Sequence, residues 1–390
     1  MTGPSTYIST EVRLQVDDGG KVWTPHSAAR YERWLPYVGG LGPVTLVGRL
    51  GEGAETSAGR ADGPGVDVLG LPHYLGLRQM IQRLPSVVVA TQKIGAKGDL
   101  FIGRLPEPLS ILMFLRALRL RAQFVSLVVA DPRQLVESMR PGRQGRLGGA
   151  LLAAATRAII ARSSATIYVT QEWLQRLYPP PPGRPILARS NVSLDDDSFV
   201  PAPRTLRSAR QRRLVTVGTL GSPAKGTDVL LDVVAALVAD GRDVSLDVVG
   251  GGRQLVALQE HADALGLADR VTFHGHVGDA ETVRMLLDRA DIYVSASRVE
   301  GLPRATVEAL ARALPVVTTD AGGVRELVAP DLVLPIDDRR GLREAVVRLL
   351  DDSSAYAAVS ETNLRRAHEI RELAREQHLS DFLMKHVQHG

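Results

Sequence analysis

The sequence predicts an α/β protein built from two doubly wound domains, and three observations carry that prediction. Apolar runs of strand length alternate with longer segments of helical periodicity, the pattern that parallel βαβ units produce. The alternation stops at four consecutive prolines, residues 179–182, with Pro185, Pro201 and Pro203 close behind, and restarts beyond them. Proline fixes φ and removes amide donors, so this stretch reads as linker. Finally, 390 residues with 44% hydrophobic and 23% charged side chains are enough for two globular cores.

In the first half, strands are expected at 11–16, 44–47, 87–90 and 124–130. The run LSILMFLRALRLR at 109–121 has helical spacing. A second helix, Ala-rich and apolar on most sides, is expected at 151–162, packed on a sheet, with a strand at 165–169 after it. Beyond the basic stretch 204–213 the pattern is cleaner: strand 214–217, helix 227–240, strand 244–249, helix 253–265, then strands 271–274, 291–295 and 315–318. Helix 304–313 separates the last two. The domains are therefore expected at 1–203 and 204–355, with a helical tail, 356–390, packing back on the first. No repeat of 20–50 residues is present, so a solenoid is excluded.

Composition removes several functions. With no cysteine there is no disulfide scaffold, Cys-ligated zinc, iron–sulfur cluster or thiolate nucleophile. Forty-seven basic against 43 acidic residues is too balanced for a nucleic-acid binder. Only Lys21, Lys93, Lys97, Lys225 and Lys385 are lysines, and arginines crowd one stretch: Arg104, Arg116, Arg119, Arg121, Arg133, Arg140, Arg143 and Arg146. Such a face attracts anionic headgroups, at about 1 kcal/mol per residue near a charged surface; a solvated surface explains it equally well. No run of eighteen apolar residues occurs, and residues 1–10 lack the basic and apolar regions of a signal peptide, so a cytoplasmic protein is expected.

Nucleotide sites in doubly wound sheets lie beyond the strand C-termini, where glycine loops meet helix N-termini. Three loops of the second half fit. Loop 218–226 (GTLGSPAKG) opens with Gly218 and Thr219 and ends with Lys225 and Gly226 before a helix, which places an ammonium and free amides where a diphosphate could sit. Gly250, Gly251 and Gly252 follow the 244–249 strand and allow close backbone approach. Loop 297–303 (SRVEGLP) again opens a helix. Neither the P-loop order nor the G-x-G-x-x-G spacing is met. Glu300 and Glu308 are eight apart, close to two turns of 3.6 residues, so their carboxylates project from one side. With apolar neighbours around it, Glu308 needs a partner, and a hydroxyl-rich ligand would supply one. Asp131, after a strand, is a further candidate. Asp195, Asp196 and Asp197 form a D-x-D pattern but follow no strand, and His274 and His276 lack a third ligand, so no metal site is expected. His386 and His389 lie in the tail.

Glu300-Gly301-Leu302-Pro303 followed by Glu308-Ala309 resembles the signature of the retaining group-1 (family 4) glycosyltransferases of the GT-B fold. Gly218 with Lys225-Gly226, Phe273-His274-Gly275, and Pro315-Val316-Val317 before Gly322-Gly323-Val324-Arg325-Glu326 fall at similar spacings, so the resemblance covers 214 to about 350. The first half is similar to bacterial polysaccharide enzymes through 18–24 (DGGKVWT), Arg104-Leu105-Pro106, Asp131-Pro132 and Ser190-Asn191-Val192. The resemblance implies two Rossmann-like domains facing a cleft. The second holds a nucleotide-sugar donor, a UDP- or GDP-sugar acting as co-substrate, with no separate cofactor and no metal; the first holds the acceptor.

It further implies that Lys225 neutralises the diphosphate beside Gly218, Thr219, Gly250 and Gly251. Glu308 would hold the ribose, and Glu300 the transferred sugar, with Gly301, Leu302 and Pro303 at the phosphates. His274 and Gly275 would line the base. Glu300, Lys225 and Asp131 are the expected catalytic set. The acceptor expected is a hydroxyl of a lipid-linked saccharide or glycan at the inner membrane face, with a soluble natural product as the rival. Two departures stand out: Thr219 where the family often has Arg, with Arg298 or Arg304 as candidate replacements, and Ala130 where many members have His. They favour the other reading, a non-catalytic GT-B binding or partner subunit.

Overall fold

The computed structural model describes residues 4–387 except 26–28, 54–58, 75, 141, 191 and 193. Asn191 and His389 therefore lie outside the described residues. The chain divides into two compact units: Met1–Val129, Leu151–Arg189 and Arg375–Gly390 in the first, and Ala130–Ala150 with Ser190–Ala374 in the second.

Along the first part of the chain run β1 (Thr6–Val16), β2 (Val22–Thr24), α1 (Leu35–Leu41), β3 (Val44–Glu52), β4 (Gly59–Arg60), β5 (Val66–Leu71), α2 (Gly76–Thr91) and β6 (Leu100–Leu105). They are followed by α3 (Pro108–Leu120), β7 (Gln123–Val128), α4 (Pro132–Met139), α5 (Arg143–Ile160), β8 (Ala165–Tyr168), α6 (Trp173–Leu177) and β9 (Ile186–Ala188). Strands β5, β3, β1, β6, β7, β8 and β9 lie side by side in parallel, and β2 and β4 add an antiparallel ribbon to the far half of β1. Parallel strands covered on both faces must be apolar throughout. Accordingly Ile8, Leu46, Leu100, Ile102, Val125 and Ile167 share one buried cluster.

The expected strand at 87–90 is instead the last turn of α2. Val87 and Thr91 are buried four residues apart and the Thr91 hydroxyl donates to the Val87 carbonyl at 2.7 Å, while Val89 faces outward. A β-branched run mimics a strand when its burial is read without its period. Helix α5 begins eight residues before the expected 151, through glycines that read as loop. Gly149 is needed there, because a side chain would press on the Arg133 backbone of α4.

The second unit contains β10 (Arg212–Val217), α7 (Thr227–Ala239), β11 (Val244–Val249), α8 (Leu255–Ala264), β12 (Val271–Gly275), α9 (Ala280–Arg289) and β13 (Ile292–Ser295). Then come α10 (Arg304–Ala311), β14 (Val316–Thr319), β15 (Val333–Leu334), α11 (Arg339–Asp351) and α12 (Ser353–Leu373). Its six strands run in the order β12-β11-β10-β13-β14-β15, all parallel. The order reverses between β10 and β13, which is the topological switch point where such sheets bind ligands.

The unit boundary and the tail differ from expectation. The chain passes to the second unit at Ser190 and not after 203, because Val192 and Leu194 bury in the second core. Arg204 also inserts there, with its amide on the Ser360 hydroxyl and its guanidinium on the carbonyls of Arg312 and Ala290. Within 356–390, α12 stays with the second unit: Tyr356, Ser360 and Asn363 donate to the carbonyls of Asp291, Ala313 and Leu314, each at 2.7 Å. Only the last helix, α13 (Glu376–His386), returns to the first unit. There Leu379, Phe382 and Leu383 pack with Trp34 and Tyr37, and the Ser380 hydroxyl donates to the Pro36 carbonyl at 2.8 Å.

Candidate functional site

The loops after β10 and β13 flank the switch point of the second unit. Loop 218–226 closes in a 3₁₀ turn, Pro223–Lys225, that ends on Gly226 at φ +61°, and α7 starts from there. Only glycine fits at 226: its φ is left-handed, and an added Cβ would collide with the Ala296 carbonyl of the facing loop. That close approach lets the Arg298 amide donate to the Ala224 carbonyl at 2.7 Å and brings the side chains of the two loops together.

Lys225 lies back over Gly218 and its Nζ reaches Glu300 Oε1 at 2.6 Å. The same carboxylate oxygen accepts the Ser297 hydroxyl at 2.7 Å. Both charged side chains are half-buried or more, so the pair is held by fixed partners in a small recess lined by Gly218, Lys225, Thr227, Ser295 and Ser297. In such a setting, removing one partner leaves an uncompensated charge.

Glu308 is on α10, half-buried, one helix turn and more beyond Pro303. The buried Tyr293 hydroxyl has its pKa pushed up by burial, with the charges of Glu300 and Glu308 adding to the shift. Glu300 in the loop and Glu308 on the helix thus both act electrostatically on one buried hydroxyl.

The other glycine loops complete the rim through backbone bonds. Gly218 donates to Val249, Leu220 to Gly251, and Gly250 to Gly275, while Gly323 donates to Gly301. Thr219 is tied to this rim, its hydroxyl 3.4 Å from the Gly251 carbonyl. His274 contacts Asp247 of β11 through Nε2 at 2.6 Å. Leu302 is half-buried and Pro303 buried at the mouth of α10.

Arg298, considered above as a replacement for the missing arginine, is committed elsewhere. It forks onto Asp228 at 3.0 and 2.8 Å and binds Asp337 at 2.8 Å and the Pro223 carbonyl at 2.7 Å. The Asp228 bond raises the arginine's pKa; burial opposes ionisation of Asp228, yet the guanidinium holds it below the usual carboxylate range. Arg298 is thus a brace between loops. Asp131 falls with the second unit by its contacts. It is buried at the end of β7 and caps α4 by accepting the Arg133 amide at 3.0 Å. Among the described residues no group of His, Cys, Asp or Glu is arranged to hold a metal ion. Asp195 and Asp196 bind Ser198 and Arg371.

Sequence reading missed Ser297, Asp247 and the Arg298–Asp228 brace. The serine three residues before Glu300 was visible, but only the bend of loop 297–303 turns it onto the carboxylate. The brace joins residues 70 apart and left no local signal.

The fold defined by the two units is GT-B. Structures sharing it include a sucrose-phosphate synthase from Thermosynechococcus elongatus (TM-score 0.70, 17% identity, 98% of each chain). Another is WaaG, a glycosyltransferase involved in lipopolysaccharide biosynthesis (TM-score 0.67, 17% identity, 97% of this chain and 99% of that one). Residues 211–352 match the family model described as glycosyl transferases group 1. Among curated relatives, a lipopolysaccharide core biosynthesis mannosyltransferase, LpsB of Rhizobium meliloti, is 34% identical over 153 residues, 36% of this chain and 42% of the relative. A GDP-mannose-dependent mannosyltransferase of Corynebacterium glutamicum acting on a monoacylated phosphatidylinositol monomannoside is 28% identical over 218 residues, 52% and 56% of the two chains. The matches thus span about half or less of these relatives' lengths.

Proposed function

We propose that the protein transfers a sugar, with retention, from a nucleoside-diphosphate sugar to a hydroxyl of a lipid-linked saccharide or glycan. The observation that carries this reading is the cluster of Lys225, Ser297 and Glu300 at the switch point, with Glu308 half-buried on the helix that follows. Departure of a nucleoside diphosphate needs its developing charge stabilised. The Lys225 ammonium and the amides opening α7 and α10 supply that stabilisation from the protein, so activity is expected to survive removal of divalent metal by a chelator. Glu308 would hold the ribose hydroxyls, Glu300 the transferred sugar, and the rim at His274 and Gly275 the base. Asp131 is the group of this set offered to the acceptor side.

The donor is a UDP- or GDP-sugar, a reading supported by two relatives: a structural neighbour, Anabaena HepE, was solved with UDP (TM-score 0.65, 16% identity), and the corynebacterial relative is named for GDP-mannose. A thermal-shift panel of UDP, GDP, ADP, CMP and TDP, with and without magnesium, tests it. One diphosphate at a hundred times its Kd should stabilise the protein by about 2.7 kcal/mol, independently of magnesium. No shift with any of them would favour the binding-subunit reading, for which Thr219 speaks; turnover of a nucleotide sugar decides between the two.

A specific surface favours a lipid-linked acceptor. The outward side of α5 carries Leu147, Ala150, Leu151, Ala154 and Ala158 in the open, where a helix in water normally shows polar residues. Arg140, Arg143 and Arg146 beside it are exposed, and between Glu137 and Glu172 the sequence has no acidic residue. An apolar stripe with a basic margin fits the headgroup region of an anionic leaflet. The same-sign margin disfavours a second copy on this face. No helix among the described residues is long and apolar enough to cross a membrane, so the association proposed is peripheral, at the cytoplasmic face. Flotation with phosphatidylglycerol vesicles at low salt should retain the wild-type chain and release Leu147→Glu/Leu151→Glu; equal flotation of both would overturn this surface.

A further inference from the structure

The loops around the switch point carry too little positive charge for the ligand proposed. Lys225 is already paired with Glu300, and Glu308 adds a second carboxylate, so a diphosphate would meet one cation and two anions. Arg298 is forked onto Asp228 and held by Asp337, and Arg325 is bidentate to Asp320 at 2.8 and 2.7 Å. Arg304 is exposed at the start of α10, with no bond to loop 218–226 among the described residues.

Arg253 is different. It follows the three glycines after β11, is exposed, and points its Nε and one terminal nitrogen at the Gly221 carbonyl, at 3.3 and 3.1 Å. Its backbone is fixed against the same loop from both sides: Leu220 donates to Gly251 and Gln254 donates to Leu220, both at 2.9 Å. A guanidinium resting on a neutral carbonyl, with no carboxylate bound to it among the described residues, exchanges readily for a phosphate, whose charge-assisted bonds are roughly twice as strong. Gly250 and Gly252 let this loop pack directly on the backbone of Gly218 and Leu220, which holds Arg253 beside loop 218–226.

We propose that Arg253 is a second phosphate-binding cation of the donor site, reaching the diphosphate from the β11 loop while Lys225 reaches it from the β10 loop. It occupies the role left vacant by Thr219, whose hydroxyl is turned back to Gly251. The inference rests on the nucleotide-sugar reading above and assigns to it a residue of this chain.

Calorimetric titration of the full-length chain with the diphosphate selected by the thermal-shift panel, and with the corresponding monophosphate, tests it. Arg253→Ala should raise the diphosphate Kd about tenfold, which is 1.4 kcal/mol, and change the monophosphate Kd less than twofold. Arg253→Lys should fall between, because a point charge replaces a fork. Arg304→Ala should match wild type. Adding Thr219→Arg to Arg253→Ala should restore the diphosphate affinity, and unchanged melting temperatures exclude unfolding as the cause. A diphosphate Kd in Arg253→Ala equal to that of wild type overturns the assignment alone. If wild type binds none of the nucleotides, the nucleotide-sugar reading and this inference fall together.

Discussion

Two glutamates show how differently one residue type is used within this chain. Glu308 is half-buried, its charge adds with that of Glu300 to the raised Tyr293 pKa, and under the proposed function it is a ribose ligand. Glu308→Ala should therefore weaken the donor diphosphate at least tenfold while leaving the melting temperature of the free protein within a few degrees. Unchanged affinity by calorimetry would remove the ribose assignment. Glu107, in the first unit, is largely buried beside Arg104 at 3.2 Å. Burial pushes its pKa up to about 7, Arg104 opposes the shift, and the Glu11 charge adds to it. Its folded value thus exceeds the ordinary 4.5, so its contribution to stability is complete below about pH 4.5 and is lost as pH rises through 7. Urea unfolding of the first unit should show stability falling across that interval, and Glu107→Gln should flatten the slope.

At the level of elements, the site depends on how closely two βα loops can approach. Gly226 permits that approach, and Gly226→Ala asks an L-residue to adopt a left-handed φ against a facing carbonyl. A cost of about 1–2 kcal/mol from conformation alone, with the collision added, should lower the melting temperature by several degrees and abolish nucleotide-induced stabilisation. Normal stabilisation by nucleotide in this variant would show that the approach of 218–226 to 297–303 is dispensable. Much of the element pattern of this unit was legible beforehand, although α9, β15 and α11 went unread. Strands β13 and β14 are buried at every position, and helices such as α7 and α10 begin directly after glycine or proline. In the first unit the apolar valines of α2 read as a strand and β6 went unread. Short apolar runs carry no period long enough to separate the two states.

Across the whole chain, the second unit is held together by residues that leave the expected boundary behind: Val192, Leu194 and Arg204 at its start, Tyr356, Ser360 and Asn363 at its end. The first unit is completed by α13, nearly the last segment of the chain. Leu379, Phe382 and Leu383 bury side chains worth about 1.5–3 kcal/mol each against Trp34 and Tyr37. Removing residues 375–390 should therefore destabilise the first unit by several kcal/mol and leave the second nearly unchanged. Scanning calorimetry would show this as one transition shifted to lower temperature and one unmoved; two unmoved transitions would contradict the packing of α13.

The sequence by itself determined the α/β class, the division into two doubly wound units, the glycine loops and the eight-residue spacing of Glu300 and Glu308. Each of these is written in local signals: strand-length apolar runs, glycines after strands, and a spacing commensurate with the helical turn. Only the tertiary structure decided that Lys225 and Ser297 share Glu300, that Arg298 is spent on Asp228, and that Arg253 rests on loop 218–226. It also decided that α12 and α13 part company. The long-range partnerships among these join residues tens of positions apart across parallel strands. The order β12-β11-β10-β13-β14-β15 brings them together, and no periodicity along the chain records that order.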